Sequence, residues 1–313
     1  MENIYVFIAS IIFTHFLIKK TLPYFKKQFL DIPNERSSHN LPTPTGGGIT
    51  FVSVSFVLSL FKDFYLPLLA LPLAAVGFID DKYGIRKRYR LLIQISTVIS
   101  IIYLYLIKPN ILEIHIYSIL NIFFFLFLLL LGVSTINFLN FMDGIDGLLI
   151  SSFTVLLILS IFINKNYAVL PLLGSTLVFS FWNWNPAKIF MGDCGSTFLG
   201  AILIGIIFSS NSILGALKIL IASFPLMADA CITVLRRFYN KENIFSPHKK
   251  QLFQRLVIGG FSQYKVSLIY LASTIILSIA ALISLYVQIF LFLIIFCVGL
   301  YLEKYKAINF DAA

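Results

Sequence analysis

The stretch IFFFLFLLLLGVSTINFLNFMDGIDGLLISSFTVLLILSIFI, residues 122–163, decides the fold. Two long apolar runs enclose an island holding Asn137, Asn140, Asp143 and Asp146, with Gly144 and Gly147 interleaved. Crossing about 30 Å of hydrocarbon takes about 20 apolar residues in a helix. Both flanks read as such helices, over 119–139 and 147–163. Outward from them the pattern repeats at 3–18, 46–61, 65–79, 91–107, 167–182, 197–210, 213–234, 264–284 and 286–301. The expectation is an all-α, polytopic integral membrane protein with about ten or eleven transmembrane helices. No sizeable water-soluble domain fits between the spans, so 1–313 reads as a single membrane domain. With 59% hydrophobic and 12% charged residues, against about 25% charged in soluble domains, a soluble globular protein is excluded. Residues 1–20 lack a basic n-region and a small-residue cleavage site and read as a retained first span. Cys194, Cys231 and Cys297 show neither metal-ligand nor disulfide spacing and read as small buried hydrophobes.

The net charge of +10 is unevenly placed. If the loops alternate sides, 20 of the 24 lysines and arginines fall on one side, and only Lys62, Lys108, Lys165 and Lys218 on the other. The positive-inside rule then puts the larger loops and the C-terminus in the cytoplasm and the N-terminus outside. The acidic residues follow, with only Glu2, Asp63 and Glu113 outside. The polar chemistry, and with it the expected active site, is therefore nearly all on the cytoplasmic face. The expected partner of the charge is a lipid bilayer, with no nucleic acid.

Several polar groups collect on that face. Asp80 and Asp81 end the apolar run LPLAAVGFIDD. Paired carboxylates suit a Mg²⁺ site or general-base work; the alternative is a solvated helix end paired with Arg86, Lys87, Arg88 or Arg90. At about 100° per residue, Asn137, Asn140, Asp143 and Asp146 drift by about 60° at each step, so no regular helix aims all four at one point. Gly144 and Gly147 let the helix end and turn the later side chains back. For Asn137 and Asn140 the alternative is hydrogen-bonding glue between helices. Asp193, in FMGDCGS, starts another span, where free N–H groups favour anions and an Asp can also be an N-cap. Gly47, in PTGGG at 44–48, lets backbone approach a phosphate, although the Lys-Ser/Thr of a P-loop is lacking. Asp229 lies two turns before Arg236, as a functional intramembrane carboxylate or as half of a buried ion pair. His248 sits among Lys249, Lys250 and Arg255, a cluster suited to phosphate. Together these describe a site for a metal-bound diphosphate at a membrane surface.

The blocks HNLPTPTGGG, GFIDD, NFLNFMDGIDGL, FMGDCGSTFLG and DACITVLRR with its following loop cover about 31–256 in order. They resemble the polyprenyl-phosphate N-acetylhexosamine-1-phosphate transferases, which include phospho-N-acetylmuramoyl-pentapeptide transferase and the enzymes that start O-antigen, enterobacterial common antigen and teichoic acid. The resemblance implies transfer of a sugar 1-phosphate from a UDP-N-acetylhexosamine to undecaprenyl phosphate, with Mg²⁺ or Mn²⁺ and release of UMP. It implies that Asp80 orients the lipid phosphate with support from Asp81, and that Asp193 is the main metal ligand. Asn140 and Asp143 would line the diphosphate and metal, Asn140 itself as a ligand, with Asn137 and Gly47 also on the substrate. Asp146 would meet the uracil end, and His248 the sugar and phosphate. It also implies pairing into a homodimer. Two departures stand out: Thr45 replaces a basic residue common in the glycine-triplet loop, and the final loop carries His248 where relatives often have two or three histidines. The short loop is closer to the O-antigen-initiating branch, hence a GlcNAc, QuiNAc or FucNAc donor. An intramembrane prenyltransferase would want DxxxD-type motifs, which the spacing here does not supply. A flippase or transporter would want ionisable residues along a transmembrane path, where only Asp229 lies deep.

Overall fold

The structure is a computed structural model and describes residues 2–33, 41–109, 119–243, 246 and 248–312. His39 and Asn40 of the first family-like block, together with Arg36, Glu113 and His115, lie outside the described residues.

Every expected span becomes helix. The first four are α1 (Glu2–Gln28), α2 (Gly48–Leu60), α3 (Leu66–Tyr83) and α4 (Lys87–Ile102), the last continued by a π-helical turn at Tyr103–Ile107. Then come α5 (Ile119–Met142), α6 (Leu148–Asn164), α7 (Leu170–Asn183), α8 (Gly192–Phe208), α9 (Ile213–Ala222) and α10 (Phe224–Tyr239). A short helix, α11 (Leu252–Ile258), precedes α12 (Gln263–Ile283) and α13 (Leu285–Tyr305). Strands β1 (Leu30–Asp31) and β2 (Thr43–Pro44) form a minimal antiparallel pair. Among the described residues five helices are long and apolar enough to cross a membrane, or six counting a bent pair, and α2, α6, α7 and α8 are shorter apolar helices.

The bent pair corrects the expectation of one continuous span over 213–234. The chain breaks at Ser223 and α10 departs from α9 by 70°. Pro225 explains the break: it lacks an N–H, and its ring collides with the carbonyl four residues earlier.

At the centre of the bundle, α8 is buried from Cys194 to Phe208 and packs against α2, α3 and α5. Lipid tails are as apolar as leucine, so close packing has to hold such helices together. Small residues permit it here. A Cβ on Gly77 of α3 would stand 2.5 Å from the backbone of Asp193, and one on Gly200 of α8 would stand 2.6 Å from Ile136 Cα of α5. Phe51 of α2 fills the adjoining space, edge-on to Phe179 (5.1 Å) and Phe198 (6.2 Å); such aromatic pairs contribute about 0.5–1.5 kcal/mol beyond area burial. Thus α3, α5 and α8 meet with almost no side chain between them, and their ends at one side of the bundle come together.

Candidate active site

Two helix ends and one turn build the first half of the site. Asp80 and Asp81 lie in the last turn of α3, which stops at Gly84 (φ +68°), a backbone conformation that glycine adopts without steric cost. That turn folds α4 back against α3 and brings Arg90 to Asp80. Asp80 accepts hydrogen bonds from the Ile85 N–H through Oδ1 and from Arg90 Nη1 through Oδ2. The other arm of the guanidinium reaches across to α8, with Nη2 2.6 Å from Asp193 Oδ2.

The second half comes from α5 and α8. Asn140, in the last turn of α5, has its amide nitrogen facing α8, the orientation that satisfies both ends of the group. In that orientation it donates to Asp193 Oδ1 (3.1 Å) and Ser196 Oγ (2.5 Å), while its oxygen accepts from Arg90 Nη2 (3.2 Å). Asp81 is the N-terminal cap of α8, accepting the N–H groups of Asp193 (2.9 Å) and Cys194 (3.4 Å). The helix start expected to be open to an anion is filled by this carboxylate from α3, and a side chain at Gly192 (φ +67°) would collide with it. Asp193 is therefore free of capping duty.

Asp143 follows α5 directly and is half-buried. Burial pushes its carboxyl well above the usual carboxylate range, and the charges of Asp193, Asp81 and Asp146 add to the shift. No side-chain hydrogen bond or ion pair engages it among the described residues. The site thus gathers Asp80, Asp81, Asp143 and Asp193 with Asn140, spanned by one cation, Arg90. Sequence reading named Arg90 only as one of four candidate partners for the aspartates. The signal that selects it is Gly84, which reverses the chain between α3 and α4.

Other expected site residues are engaged elsewhere. Asn137 and Gln94 exchange both amide hydrogen bonds (3.0 and 3.1 Å), and Asn137 also donates to the Val133 carbonyl. Its amide is spent on joining α4 to α5, the glue alternative. The N–H groups of Gly47 and Gly48 donate to the carbonyls of Phe190 and Met191, each at 2.9 Å. A Cβ on Gly47 would stand 2.6 Å from Ile189. Close approach is real there, but of backbone to backbone behind the site, which corrects the phosphate-cradling expectation for Gly47. Asp146 is buried and accepts from Asn185 Nδ2 and the Ala187 N–H, both at 2.9 Å, clamping the loop that carries the cis Asn185–Pro186 bond.

Asp229 does not pair with Arg236. It accepts the N–H groups of Leu252 (2.6 Å) and Phe253 (3.1 Å) at the start of α11, and the hydroxyl of Tyr270 (2.7 Å). Asp229→Asn leaves one oxygen to serve three donors. The variant is expected to lose about 1–3 kcal/mol, seen as a lower melting temperature in detergent, while turnover per folded molecule stays near the parent's.

His248 lies beyond α10, in a loop organised by Arg237. That buried guanidinium donates to Glu242 (3.1 Å), the Asn243 carbonyl (2.5 Å) and Ser246 Oγ (2.7 Å), a role sequence reading missed. Glu242 also takes Lys250 Nζ at 2.8 Å, and that hydrogen bond leads the causes holding its carboxyl below the usual range. Burial, with Arg237 and Lys250 nearby, pushes His248 down from 6.5 to about 4 against the opposing pull of Glu242. Its Nδ1 accepts the Lys250 N–H at 3.2 Å. Between pH 4 and 6.5 the unfolded chain holds a proton here that the folded chain does not, so stability falls as pH drops through that window. In His248→Gln this contribution should vanish, which melting curves from pH 7 to pH 5 would read as a shallower decline.

These features define a class, a multi-pass membrane protein with a carboxylate-rich site at one end of its bundle. Residues 64–211 match the model of glycosyl transferase family 4. The chain is 35% identical over 154 residues to a probable undecaprenyl-phosphate N-acetylglucosaminyl 1-phosphate transferase of Bacillus subtilis, covering 44% of this chain and 43% of the relative. This chain therefore spans less than half of that relative. With the undecaprenyl-phosphate alpha-N-acetylglucosaminyl 1-phosphate transferase of Thermotoga maritima it is 26% identical over 293 residues, 91% of this chain and 93% of the other. A phospho-N-acetylmuramoyl-pentapeptide-transferase of Streptomyces coelicolor is 51% identical over 55 residues, 16% of this chain and 15% of that one.

Proposed function

We propose that this protein transfers an N-acetylhexosamine 1-phosphate, of GlcNAc, QuiNAc or FucNAc type, from its UDP-sugar to undecaprenyl phosphate. The products are undecaprenyl-diphosphate-sugar and UMP, and the reaction initiates a cell-envelope glycan at the cytoplasmic face of a bacterial inner membrane. The observation that carries this reading is the bridge from Asp80 through Arg90 to Asp193, with Asn140, Asp81 and the unpaired Asp143 around it. The names of the relatives point the same way.

A Mg²⁺ or Mn²⁺ ion fits this site by donor chemistry, since carboxylate and amide oxygens are what hard divalent cations take. As the side chains stand, no three acidic, histidine or cysteine groups among the described residues are gathered closely enough to hold one. Arg90 is the cation lying among them. Asp193, Asp143 and Asn140 are the residues that would hold the ion, and when bound it would neutralise charge on the diphosphate oxygens.

The chain's own groups have separable tasks. Asp80, fixed by the Ile85 N–H, would orient the incoming lipid phosphate, and Arg90, its two arms on Asp80 and Asp193, supplies positive charge beside the phosphates of either substrate. An oxygen of the lipid phosphate attacks the phosphorus that carries the sugar. The bond from that phosphorus to the bridging oxygen breaks, and UMP leaves with the electron pair. The sugar's own C–O bond is untouched. Asp81 keeps the start of α8, and with it Asp193, in place.

The test is UMP release by the purified protein in detergent, with Mg²⁺, undecaprenyl phosphate and a panel of UDP-N-acetylhexosamines. Release that requires lipid, metal and one donor together establishes the reaction and names the sugar. No release with any donor in a well-folded preparation would overturn it.

A further inference from the structure

The segment after α13 returns to the site's neighbourhood. Glu303, in the last turn of α13, accepts from Arg255 Nη2 of α11 at 2.8 Å and from Arg236 Nη1 of α10. Past the helix end the backbone runs along α11: the Ile308 N–H donates to the Arg255 carbonyl (3.3 Å), and Arg255 Nη1 donates to the Ile308 carbonyl (3.1 Å). Phe310 then lies buried with three cations around its ring, Lys250 at 5.0 Å, Arg255 at 5.4 Å and Arg236 at 5.6 Å from the centroid. These cations come from three different places, the end of α10, the loop after it and α11. Arg255, itself buried, ties the loop again by donating from Nε to the Lys250 carbonyl (3.0 Å).

What this assembly holds bears on the active site. A Cβ on Gly144 would stand 2.6 Å from the ring of Phe253, so the first turn of α11 presses against the turn that carries Asp143. Lys250 leads into that turn, and its N–H fixes His248. An aromatic face attracts a cation most strongly where water is excluded, and a carboxylate shared by two guanidiniums fixes their relative position.

We propose that residues 303–310 form a latch that sets the place of His248, Lys250 and the start of α11, with Glu303 and Phe310 as positioning residues for the UDP-sugar. The inference rests on the transferase reading for its choice of ligand. Neither residue touches the reacting groups; Glu303 acts through Arg236 and Arg255, and Phe310 through Arg255 and Lys250.

The experiment compares Phe310→Ala, Phe310→Trp and Glu303→Gln with the parent full chain in detergent. It uses hydrogen exchange of the backbone and steady-state kinetics with UDP-GlcNAc and the other donors of the panel. In Phe310→Ala, exchange should quicken over 248–256 and stay unchanged in α5 and α8. The donor KM should rise about tenfold with the undecaprenyl phosphate KM unaltered, and Phe310→Trp should restore both. Glu303→Gln should move the same quantities in the same direction, and it serves if the alanine variant fails to fold. Unchanged exchange over 248–256 would overturn the latch, and so would faster exchange without a change in donor KM. If the parent shows no transfer with any donor, the functional reading fails by itself, while exchange still decides whether the latch exists.

Discussion

Asp193→Asn is expected to lower turnover by about 10³-fold while the protein stays folded and inserted. The loss follows from what the carboxylate does: it draws one arm of Arg90 and the amide of Asn140 into a single cluster. Misplacing one group that stabilises developing charge, here Arg90, typically costs about 10²–10³ in rate, and a metal ligand would go as well. Survival of the fold follows from Asp81, which caps α8 through backbone N–H groups that the substitution leaves alone. Asp80→Asn should behave alike, because the Ile85 N–H keeps an oxygen acceptor. UMP release and a melting curve on the same preparation decide it. Full activity in either variant would remove that residue from the site.

The second large effect is expected from Arg90→Gln, with turnover down about 10²-fold or more. Glutamine cannot reach Asp80 and Asp193 together and carries no charge, so two neighbouring carboxylates lose their shared cation and one of them is driven to take up a proton. Arg90→Lys separates the two contributions. It keeps the charge on a flexible stem but loses the fork that engages both carboxylates, so its turnover should fall between parent and Gln variant. The measurement is kcat for both substitutions beside their melting temperatures. A Lys variant as active as the parent would show that charge alone matters, and a Gln variant with full activity would take Arg90 out of the chemistry.

How much of this was legible in the sequence depends on the kind of information each feature needs. Apolar runs of 15–20 residues specify helices locally, and every expected run is helical, although among the described residues only five or six of the helices are long and apolar enough to cross a membrane. The break at Ser223 was legible too, in Pro225, but a hydropathy window averages across it. Carboxylates at the ends of apolar runs announced Asp80, Asp81, Asp143 and Asp193 because burying such groups is costly without a use. Division of labour among them was not legible. Asp81 and Asp193 are 112 residues apart in sequence, and only the crossing of α3 over α8 at Gly77 shows that the first caps the helix on which the second sits. Likewise Asn137 and Asn140 look alike in NFLN, yet one faces Gln94 and the other Asp193, a difference set by which helix packs on each face of α5. The partners of Asp229 belong to α11 and α12, beyond the reach of any local pattern. Phe310, in a tail of ordinary composition, gave no signal, since its role is created by cations from three other segments.

The short central helix has a consequence for the depth of the site. At a rise of about 1.5 Å per residue, the 17 residues of α8 extend about 25 Å, against about 30 Å of hydrocarbon. The 13 residues of α2, packed beside its first turns, extend about 20 Å. Placed with its far end at one boundary, a helix of that length would begin inside the other, and Asp193 in its first turn would begin there with it. Because α8 is buried within the bundle from Cys194 to Phe208, its neighbouring helices and not the lipid cover this mismatch. On the proposed function, a lipid phosphate would reach the level of the carboxylates from its own leaflet, whereas a nucleotide would come down to them from water.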